Sequence, residues 1–422
     1  MSRPLTFILL GLYFFIYMTP QYIKGVYYLY DRMAGQQLIL TIINILIIFL
    51  LYKNKRIDEI YNTIKLNFHH KSYIAFILFA SLSMIVSINI TESLIILVQF
   101  INLFVAYILI LVLSKNEKVN FIQIFLYFTL AGLFVETFRI NSLIYDSVIT
   151  QGNILVRSME FRGFTGNINI SSFALAIKIP VVIYLIFKIK NYFWISLLYI
   201  LFISAVISII LLFSRAALIV LSIVIFISIF YSLFKRKKIL IYKSLFIVLS
   251  VLLSMGVYSF VNDKNTSDLM VERFSSVTNP EEDQSVNERL GFYKIALEDI
   301  KKNPILGIGI GNWKLKSIQR GNKFLEGYRI PYKVHNDFLE MAAEVGILGG
   351  LFFMYFIFYP FVVSFLKLLK KKEITISFLV FLIVGIYIFD SLVNFPMHRP
   401  INFIYLSFTF ALFYNAKLKD VL

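Results

Sequence analysis

Residues 333–350, which read KVHNDFLEMAAEVGILGG, hold the side chains whose types could do chemistry. His335 is followed by three carboxylates, Asp337, Glu340 and Glu344, just before a hydrophobic run. An imidazole with a pKa near 6.5 is mostly neutral above pH 7 and can act as a general base. A carboxylate can orient that imidazole or accept hydrogen bonds at a helix start. The stretch therefore fits either a self-capping helix start or a catalytic histidine.

A metal site is a third use of these residues, and their spacing disfavours it. His335 and Glu340 are five positions apart, a poor match to one face of a helix. Helical zinc motifs place a second histidine four residues after the first, which this stretch lacks. The other histidines are His69 and His70, expected in a cytoplasmic loop, and His398. We therefore predict no metal and no other cofactor.

The elements that must position these residues are hydrophobic helices. The chain has 422 residues, of which 59% are hydrophobic, and a mean hydropathy of +0.80. Long apolar runs such as residues 5–18 and 93–113 match the roughly 30 Å hydrocarbon core of a bilayer. They do not alternate polar and apolar residues, as barrel strands do. The sequence therefore predicts an all-α integral membrane protein. It contains no cysteine, which excludes disulfides and thiolate chemistry.

We predict about twelve transmembrane helices and one large, partly helical periplasmic loop. Residues 1–260 would hold helices one to nine, 261–346 the loop, and 347–422 helices ten to twelve. The predicted ranges are 5–19, 37–52, 72–88, 93–113, 121–138, 171–187, 192–213, 216–234, 244–260, 347–366, 374–389 and 401–415.

The net charge of +17 is concentrated in short loops between these segments. Clusters of lysine and arginine occur at 53–56, 235–238 and 367–372. Cytoplasmic loops of membrane proteins are enriched in such residues, so the pattern places both termini in the cytoplasm. This explanation needs no nucleic-acid partner. The 261–346 loop is therefore expected on the opposite, extracytoplasmic side of the membrane.

The periplasmic loop is expected to contain two helices. Residues 288–304 carry apolar side chains with a 3.6-residue period, at Leu290, Tyr293, Ala296, Leu297 and Ile300. Pro304 and the glycines that follow it would end this helix. A second, short helix would begin with Asn336 or Asp337 as its cap and end at Gly346, leading into the tenth span.

Placing an ionisable side chain in or near a membrane span costs free energy, so each such residue is a candidate for a structural or functional role. Arg215 follows Ser214 in a minimal turn between two spans, where it either anchors the helix at the interface or serves a site. Lys178 lies within the sixth span, where it either snorkels to the surface or lines a cavity. Arg289, at the start of the first loop helix, is by itself an ordinary solvated charge.

Five stretches, in this order, resemble the bacterial O-antigen ligase and polymerase superfamily. They are RGFTGNINIS (162–171), FSRAA (213–217), RLGFYKIALEDIKKNPILGIGIGNW (289–313), HNDFLEMAAEVGILGG (335–350) and SLVNFPMHRP (391–400). Asn394 stands where an aspartate is more usual. The resemblance is closest to the ligases, and the twelve-span layout agrees with it.

The resemblance implies a glycan transferase that uses an undecaprenyl-diphosphate-linked donor at the periplasmic face. It assigns Arg215 and Arg289 to the donor diphosphate and His335 to catalysis. Secondary substrate-binding candidates are Arg162, Asn169, Lys178 and Glu340. The implied acceptor is a sugar hydroxyl of lipid A-core in the bilayer.

This chemistry suits the residues named. The leaving diphosphate gathers negative charge, and guanidinium groups can grip phosphate oxygens without a divalent ion. No Asp-x-Asp motif occurs in the early external loops. We therefore expect a metal-independent reaction in which His335 deprotonates the attacking hydroxyl and the anomeric centre inverts.

Two other functions remain open at this stage. A polymerase of the same superfamily would use a second lipid-linked repeat unit as acceptor. A polysaccharide flippase would place its charges along a pathway through paired, pseudo-repeated halves. The gathering of polar residues at one face, with one enlarged loop, favours surface chemistry over transport.

Overall fold

A computed structural model describes residues 2–18, 33–65, 67–116, 120–151, 163–212, 214–261, 284–320, 332–369 and 374–419. These residues form helices and connecting turns, without strands. The α-helices are α1 (Arg3–Leu12), α2 (Ala34–Lys53), α3 (Asp58–Lys65), α4 (Phe68–Ser83), α5 (Ile90–Ser114), α6 (Phe121–Gln151), α7 (Ile168–Ala176), α8 (Ile179–Lys188), α9 (Tyr192–Leu211), α10 (Arg215–Phe234), α11 (Lys238–Val261), α12 (Gln284–Lys302), α13 (Trp313–Arg320), α14 (Asp337–Leu369), α15 (Ile374–Val393) and α16 (Pro400–Lys419).

Within the described ranges, ten helical segments are long and apolar enough to cross a membrane. One of them, Ile168–Lys188, joins α7 and α8, and α1 with the turn after it is a shorter apolar helix. Each of the twelve predicted segments overlaps a helix, and α16 corresponds to the last of them. The prediction of an all-α integral membrane protein is confirmed. The apolar runs set this outcome, because a backbone in lipid must satisfy its own hydrogen bonds.

The chain divides into two compact units, the first formed by residues 1–124 and 279–422, the second by residues 125–278. In the first unit, α14 packs against α4 and α15, while α16 packs against α5. Its core is aromatic: Tyr73 and Phe76 lie edge to face, and Phe356 packs on Tyr73 with a centroid distance of 4.6 Å. In the second unit, α11 packs against α9 and α10.

The structure corrects the expectation that His69 and His70 lie in a loop. Both occupy the first turn of α4 and are buried. Nε2 of His69 is 2.7 Å from the carbonyl oxygen of Phe356, and the Tyr107 hydroxyl is 2.9 Å from Nδ1 of His70. The start of this span was predicted too late because the two histidines lower the local hydropathy. In the folded protein, hydrogen bonds to distant residues offset the cost of burying them.

Gly346 interrupts α14 as predicted, with φ of +82° and ψ of 168°. The carbonyl of Pro304 accepts a 2.8 Å hydrogen bond from the Ile347 amide at this break. A Cβ on Gly346 would lie 2.0 Å from the carbonyl oxygen of Ile305. Only glycine fits here, since the φ value is left-handed and the neighbouring backbone occupies the Cβ position.

The first loop helix forms as α12 and ends at Lys302, and only part of its apolar stripe is buried. Leu290 and Leu297 are exposed, at 57% and 47%, whereas Phe292 and Ala296 are buried. The Phe292 ring packs edge to face against Trp313, 5.9 Å away. The direction from which α13 and α14 contact α12 therefore selects its buried face, and the helical period alone could not supply that direction.

Candidate active site

His335 lies in the turn that leads into α14. Asn336 caps this helix, because its Oδ1 accepts hydrogen bonds from the amides of Phe338 and Leu339 at 3.1 and 3.0 Å. Of the two predicted caps, the structure thus selects Asn336. His335 itself has a φ of +62°, in the left-handed region that costs a non-glycine residue about 1–2 kcal/mol. The backbone therefore bends sharply at the histidine, and neighbouring groups must hold it there.

The imidazole of His335 packs against aromatic rings, and one of its nitrogens has no hydrogen-bond partner. Phe395 packs edge to face against it, with centroids 4.9 Å apart, and Phe292 lies roughly parallel at 6.3 Å. Nδ1 is buried and has no hydrogen-bond partner. The Tyr293 hydroxyl lies 3.0 Å from the His335 carbonyl oxygen, which ties the turn to α12. A buried nitrogen without a hydrogen-bond partner requires an explanation, and a role as a base that takes a substrate proton would supply one.

Burial lowers the pKa of His335 to about 3, and the positive charge of Arg289 lowers it further, while Glu340 opposes these effects. The imidazole is therefore neutral at ordinary pH, but it is a weaker base than a pKa near 6.5 implies. Arg289, on the first turns of α12, also acts electrostatically on Tyr293 and Asp390. The structure thus brings Arg289 and His335, which are far apart in the sequence, into one electrostatic environment.

Glu340 binds the segment before His335 and does not hydrogen-bond the imidazole. Its side chain is 1% exposed and accepts hydrogen bonds from the Val334 amide at 2.9 Å and from Lys333 Nζ at 3.0 Å. Its Oε1 is also 2.8 Å from Nε2 of His398. The carboxylate therefore fastens the turn that carries His335.

His398 and Lys333 were not singled out as site residues by the sequence. Lys333 Nζ lies 2.9 Å from the same His398 nitrogen that approaches Glu340. A carboxylate can only accept, so we assign the Nε2 hydrogen to the Glu340 bond, with Lys333 supplying charge. Burial and the Lys333 charge lower the pKa of His398 to about 4, which keeps this ring neutral. The proline-flanked segment NFPMHRP was the only available signal, since it predicts a fixed turn.

Glu344 lies on α14, but its carboxylate binds the start of α13. Its carboxylate accepts hydrogen bonds from the amides of Gly311 and Trp313, at 2.7 and 3.0 Å. These amides begin α13, where no preceding turn can satisfy them. Glu344 therefore caps α13 and fixes the glycine loop against α14, and it makes no hydrogen bond to His335.

Two more carboxylates are buried near the same turn. Asp337 Oδ2 accepts a 3.2 Å hydrogen bond from the Met397 amide, and Asp390 Oδ1 accepts one of 2.8 Å from Asn394 Nδ2. Asn394, the residue that departs from the family pattern, thus acts as a donor to Asp390. In the described part of the chain, no three His, Asp or Glu side chains are arranged to hold an ion together.

The other predicted site residues belong to the second unit. Arg215 is the first residue of α10 and is half-buried, directly after Ser214, so the expected turn between two spans is present. Asn169 is half-buried in the first turn of α7, which Asn167 caps through the Ile170 amide. Arg162 lies outside the described residues.

Lys178 does not reach the surface but forms a buried ion pair. It lies in the turn between α7 and α8, is 1% exposed, and donates to Glu136 Oε2 at 2.8 Å and to the Ala174 carbonyl at 2.6 Å. The other Glu136 oxygen has no hydrogen-bond partner. A small pocket, lined also by Thr165 and Ser171, adjoins Glu136.

The apolar helices and the surroundings of His335 define the class of this protein. The chain is a polytopic helical membrane protein in which a neutral imidazole and a guanidinium share a polar site at a helix start. Residues 198–354 match a family model described as O-antigen ligase. This stretch contains Arg215, Arg289 and His335. A search of curated proteins found no match.

This match supports the resemblance to the O-antigen ligase superfamily that the motifs indicated. Members of this superfamily are glycosyltransferase-like ligases and polymerases of lipid-linked glycans. A multi-pass membrane setting follows from both the family and the apolar helices.

Proposed function

We propose that this protein is an O-antigen ligase of the bacterial inner membrane. It moves a finished glycan from undecaprenyl diphosphate to a sugar hydroxyl of lipid A-core at the periplasmic face. His335 is the general base, and Arg289 and Arg215 bind the donor diphosphate. The observation that carries this proposal is the neutral His335 ring, with an unpartnered Nδ1, beside the charge of Arg289.

The reaction is a single displacement. The acceptor hydroxyl oxygen attacks the anomeric carbon while His335 Nδ1 takes its proton. The bond between that carbon and the diphosphate oxygen breaks, and its electron pair leaves with the lipid diphosphate. Attack opposite the leaving group inverts the anomeric centre. Arginines can stabilise the developing charge without a metal ion, because their charge is permanent and their donors are preorganised.

The donor itself would correct the low proton affinity of His335. Besides burial, the Arg289 charge is the other cause that lowers the imidazole pKa. A bound diphosphate beside Arg289 offsets that charge, so the pKa of His335 rises and the ring becomes a better base. Base strength then appears only when the donor is in place. Arg215 is assigned to the same diphosphate because the FSRAA motif that carries it resembles that of the family.

The acceptor distinguishes the ligase from its closest alternative. A polymerase of the same superfamily would use identical chemistry and a lipid-linked repeat unit as acceptor. Deletion of the gene, followed by electrophoresis of cellular glycolipids, separates the two. We expect long glycan to persist on undecaprenyl diphosphate and to be absent from lipid A-core. Lipid A-core capped by one repeat unit would instead identify a polymerase, and glycolipid trapped on the cytoplasmic leaflet would identify a flippase.

A further inference from the structure

Lys333, Glu340 and His398 form a cluster, here called the Glu340 cluster, next to the proposed base. Glu340 Oε1 lies 3.0 Å from Lys333 Nζ and 2.8 Å from His398 Nε2, while Oε2 accepts from the Val334 amide. The exposed fractions of the Glu340 and His398 side chains are 1% and 8%. A buried carboxylate with three donors is fully satisfied, and such a bond network is rigid.

We infer that the Glu340 cluster is a positioning device that holds the His335 ring at the angle needed for proton transfer. This inference rests on the proposed function, which makes His335 the base. It goes further by assigning roles to Lys333 and His398, whose hydrogen bonds join them to Glu340 and to each other and not to the His335 imidazole.

The first reason is the backbone of His335. Asn336 caps the helix after the histidine, but nothing in that cap restrains the residues before it. The Val334 amide, immediately preceding His335, is held by Glu340. A left-handed φ at a non-glycine residue persists only where the surroundings fix it. Glu340 supplies that restraint on the side that Asn336 leaves open.

The second reason is that His398 connects the turn that carries Phe395 to Glu340, which holds the residue before His335. It ends the short turn Pro396–His398, directly after Phe395, whose ring packs against His335. The amide of Met397 donates to Asp337 in the first turn of α14. One contact, His398 to Glu340, therefore links the turn that carries Phe395 with the turn that carries His335. Breaking this contact should loosen both the turn that carries Phe395 and the turn that carries His335.

Variants at position 398 separate positioning from packing. His398→Phe keeps an aromatic ring of similar size but removes the donor, whereas His398→Gln replaces Nε2–H with an amide N–H at similar reach. With purified full-length protein, a lipid-linked glycan and a lipid A-core acceptor, we expect His398→Phe to lower kcat about 10–100-fold with KM unchanged, because small displacements of a base are costly. His398→Gln should recover most of the loss.

Lysine variants provide the matched control. Lys333→Met should lower kcat about 10-fold because Glu340 loses one of its donors. Lys314→Met removes the ion pair with Glu92 in the same unit, where the lysine side chain has the same 21% exposure as Lys333. This control should leave kcat and KM unchanged. Equal losses in both lysine variants, a loss confined to KM, or a His398→Gln variant as inactive as His398→Phe would overturn the inference.

A measurement that requires no glycan keeps the inference independent of the proposed activity. The rate at which diethyl pyrocarbonate modifies His335, followed by mass spectrometry at pH 7, reports how firmly the ring is held. We expect at least a threefold faster reaction in His398→Phe and an unchanged rate in Lys314→Met. An unchanged rate in His398→Phe contradicts the positioning role, whereas absence of transfer in the unaltered protein contradicts only the proposed function.

Discussion

At the residue scale, the imidazole of His335 and the guanidinium of Arg289 are electrostatically coupled. Burial and the nearby positive charge together hold the pKa of His335 at about 3. A general base must be neutral, as this ring is. Because the Arg289 charge lowers the pKa of His335, an anionic ligand that binds Arg289 should raise that pKa. This coupling gives the site a measurable property that does not depend on catalysis.

Replacing Arg289 with methionine should raise the pKa of His335, because one of the causes that lower it is removed. Below the new pKa, protonation blocks reaction with diethyl pyrocarbonate. The reactivity of His335 should therefore decline at a higher pH in Arg289→Met than in the unaltered protein as pH is lowered from 7. Lys294→Met, at an exposed site on the same helix, is the control. Identical pH profiles for all three proteins would argue against the coupling.

The proposed roles of His335 and Arg215 predict loss of transfer on truncation. His335→Ala and Arg215→Ala should each reduce glycan on lipid A-core below detection, while the protein remains in the membrane at normal abundance. Removal of a group that acts in the transition state typically costs two or more orders of magnitude in rate. Complementation of the deletion strain, with glycolipid gels and immunoblots of membranes, makes the measurement. Normal transfer in either variant would refute its assignment.

At the element scale, two helix interruptions each allow a specific polar contact. Gly346 breaks α14 so that the loop after α12 can hydrogen-bond against it, and the turn between α7 and α8 places Lys178 beside Glu136. Both interruptions occur where the sequence has an exception to the apolar pattern. Their consequences differ, because one is a backbone constraint and the other is a buried charge pair.

Gly346→Ala should lower stability by about 3 kcal/mol or more, because the new Cβ would meet the Ile305 carbonyl and the backbone angle is nearly exclusive to glycine. Gly11→Ala is the matched control, since a Cβ there has no neighbouring atom within 4 Å. Thermal unfolding in detergent, followed by size-exclusion chromatography, should show a lower midpoint for the first variant alone.

The Glu136–Lys178 pair should behave as a buried ion pair. Lys178→Met alone leaves an uncompensated buried carboxylate and should cost about 3–5 kcal/mol, whereas the double variant Glu136→Met, Lys178→Met should recover most of the stability. The same thermal assay tests this. If the double variant is stable but transfers no glycan, Lys178 also serves the substrate, as its place among the secondary candidates suggests. Full transfer would restrict the pair to a structural role.

At the scale of the whole molecule, the distribution of lysine and arginine predicts the orientation in the membrane. The absence of cysteine makes this directly testable with single introduced thiols. Lys237→Cys, in the exposed turn before α11, should react with a membrane-impermeant maleimide only after the inner membrane is opened. Lys301→Cys, exposed at the end of α12, should react beforehand. The reverse pattern would invert the proposed topology and remove the site from the periplasm.

Much of the fold follows from local sequence, but the site residues were only partly predictable. Apolar runs defined the spans, and Gly346 and Asn336 marked the break and the cap of α14. His335 and Arg289 were selected by their motifs. His398 and Lys333 were missed, and the buried face of α12 was not specified, because both depend on which distant segments meet.

The sequence by itself determined the helical membrane class, the approximate position of the spans and the family resemblance, because each depends on residue order over short stretches. Tertiary structure alone decided that Glu340 holds the turn before His335, that Glu344 caps α13, and that Lys178 pairs with Glu136. Hydrogen bonds and charges act over a few ångströms in space, whatever their separation along the chain. A carboxylate's partner is therefore set by packing, and no local pattern around Glu340 or Glu344 specified it.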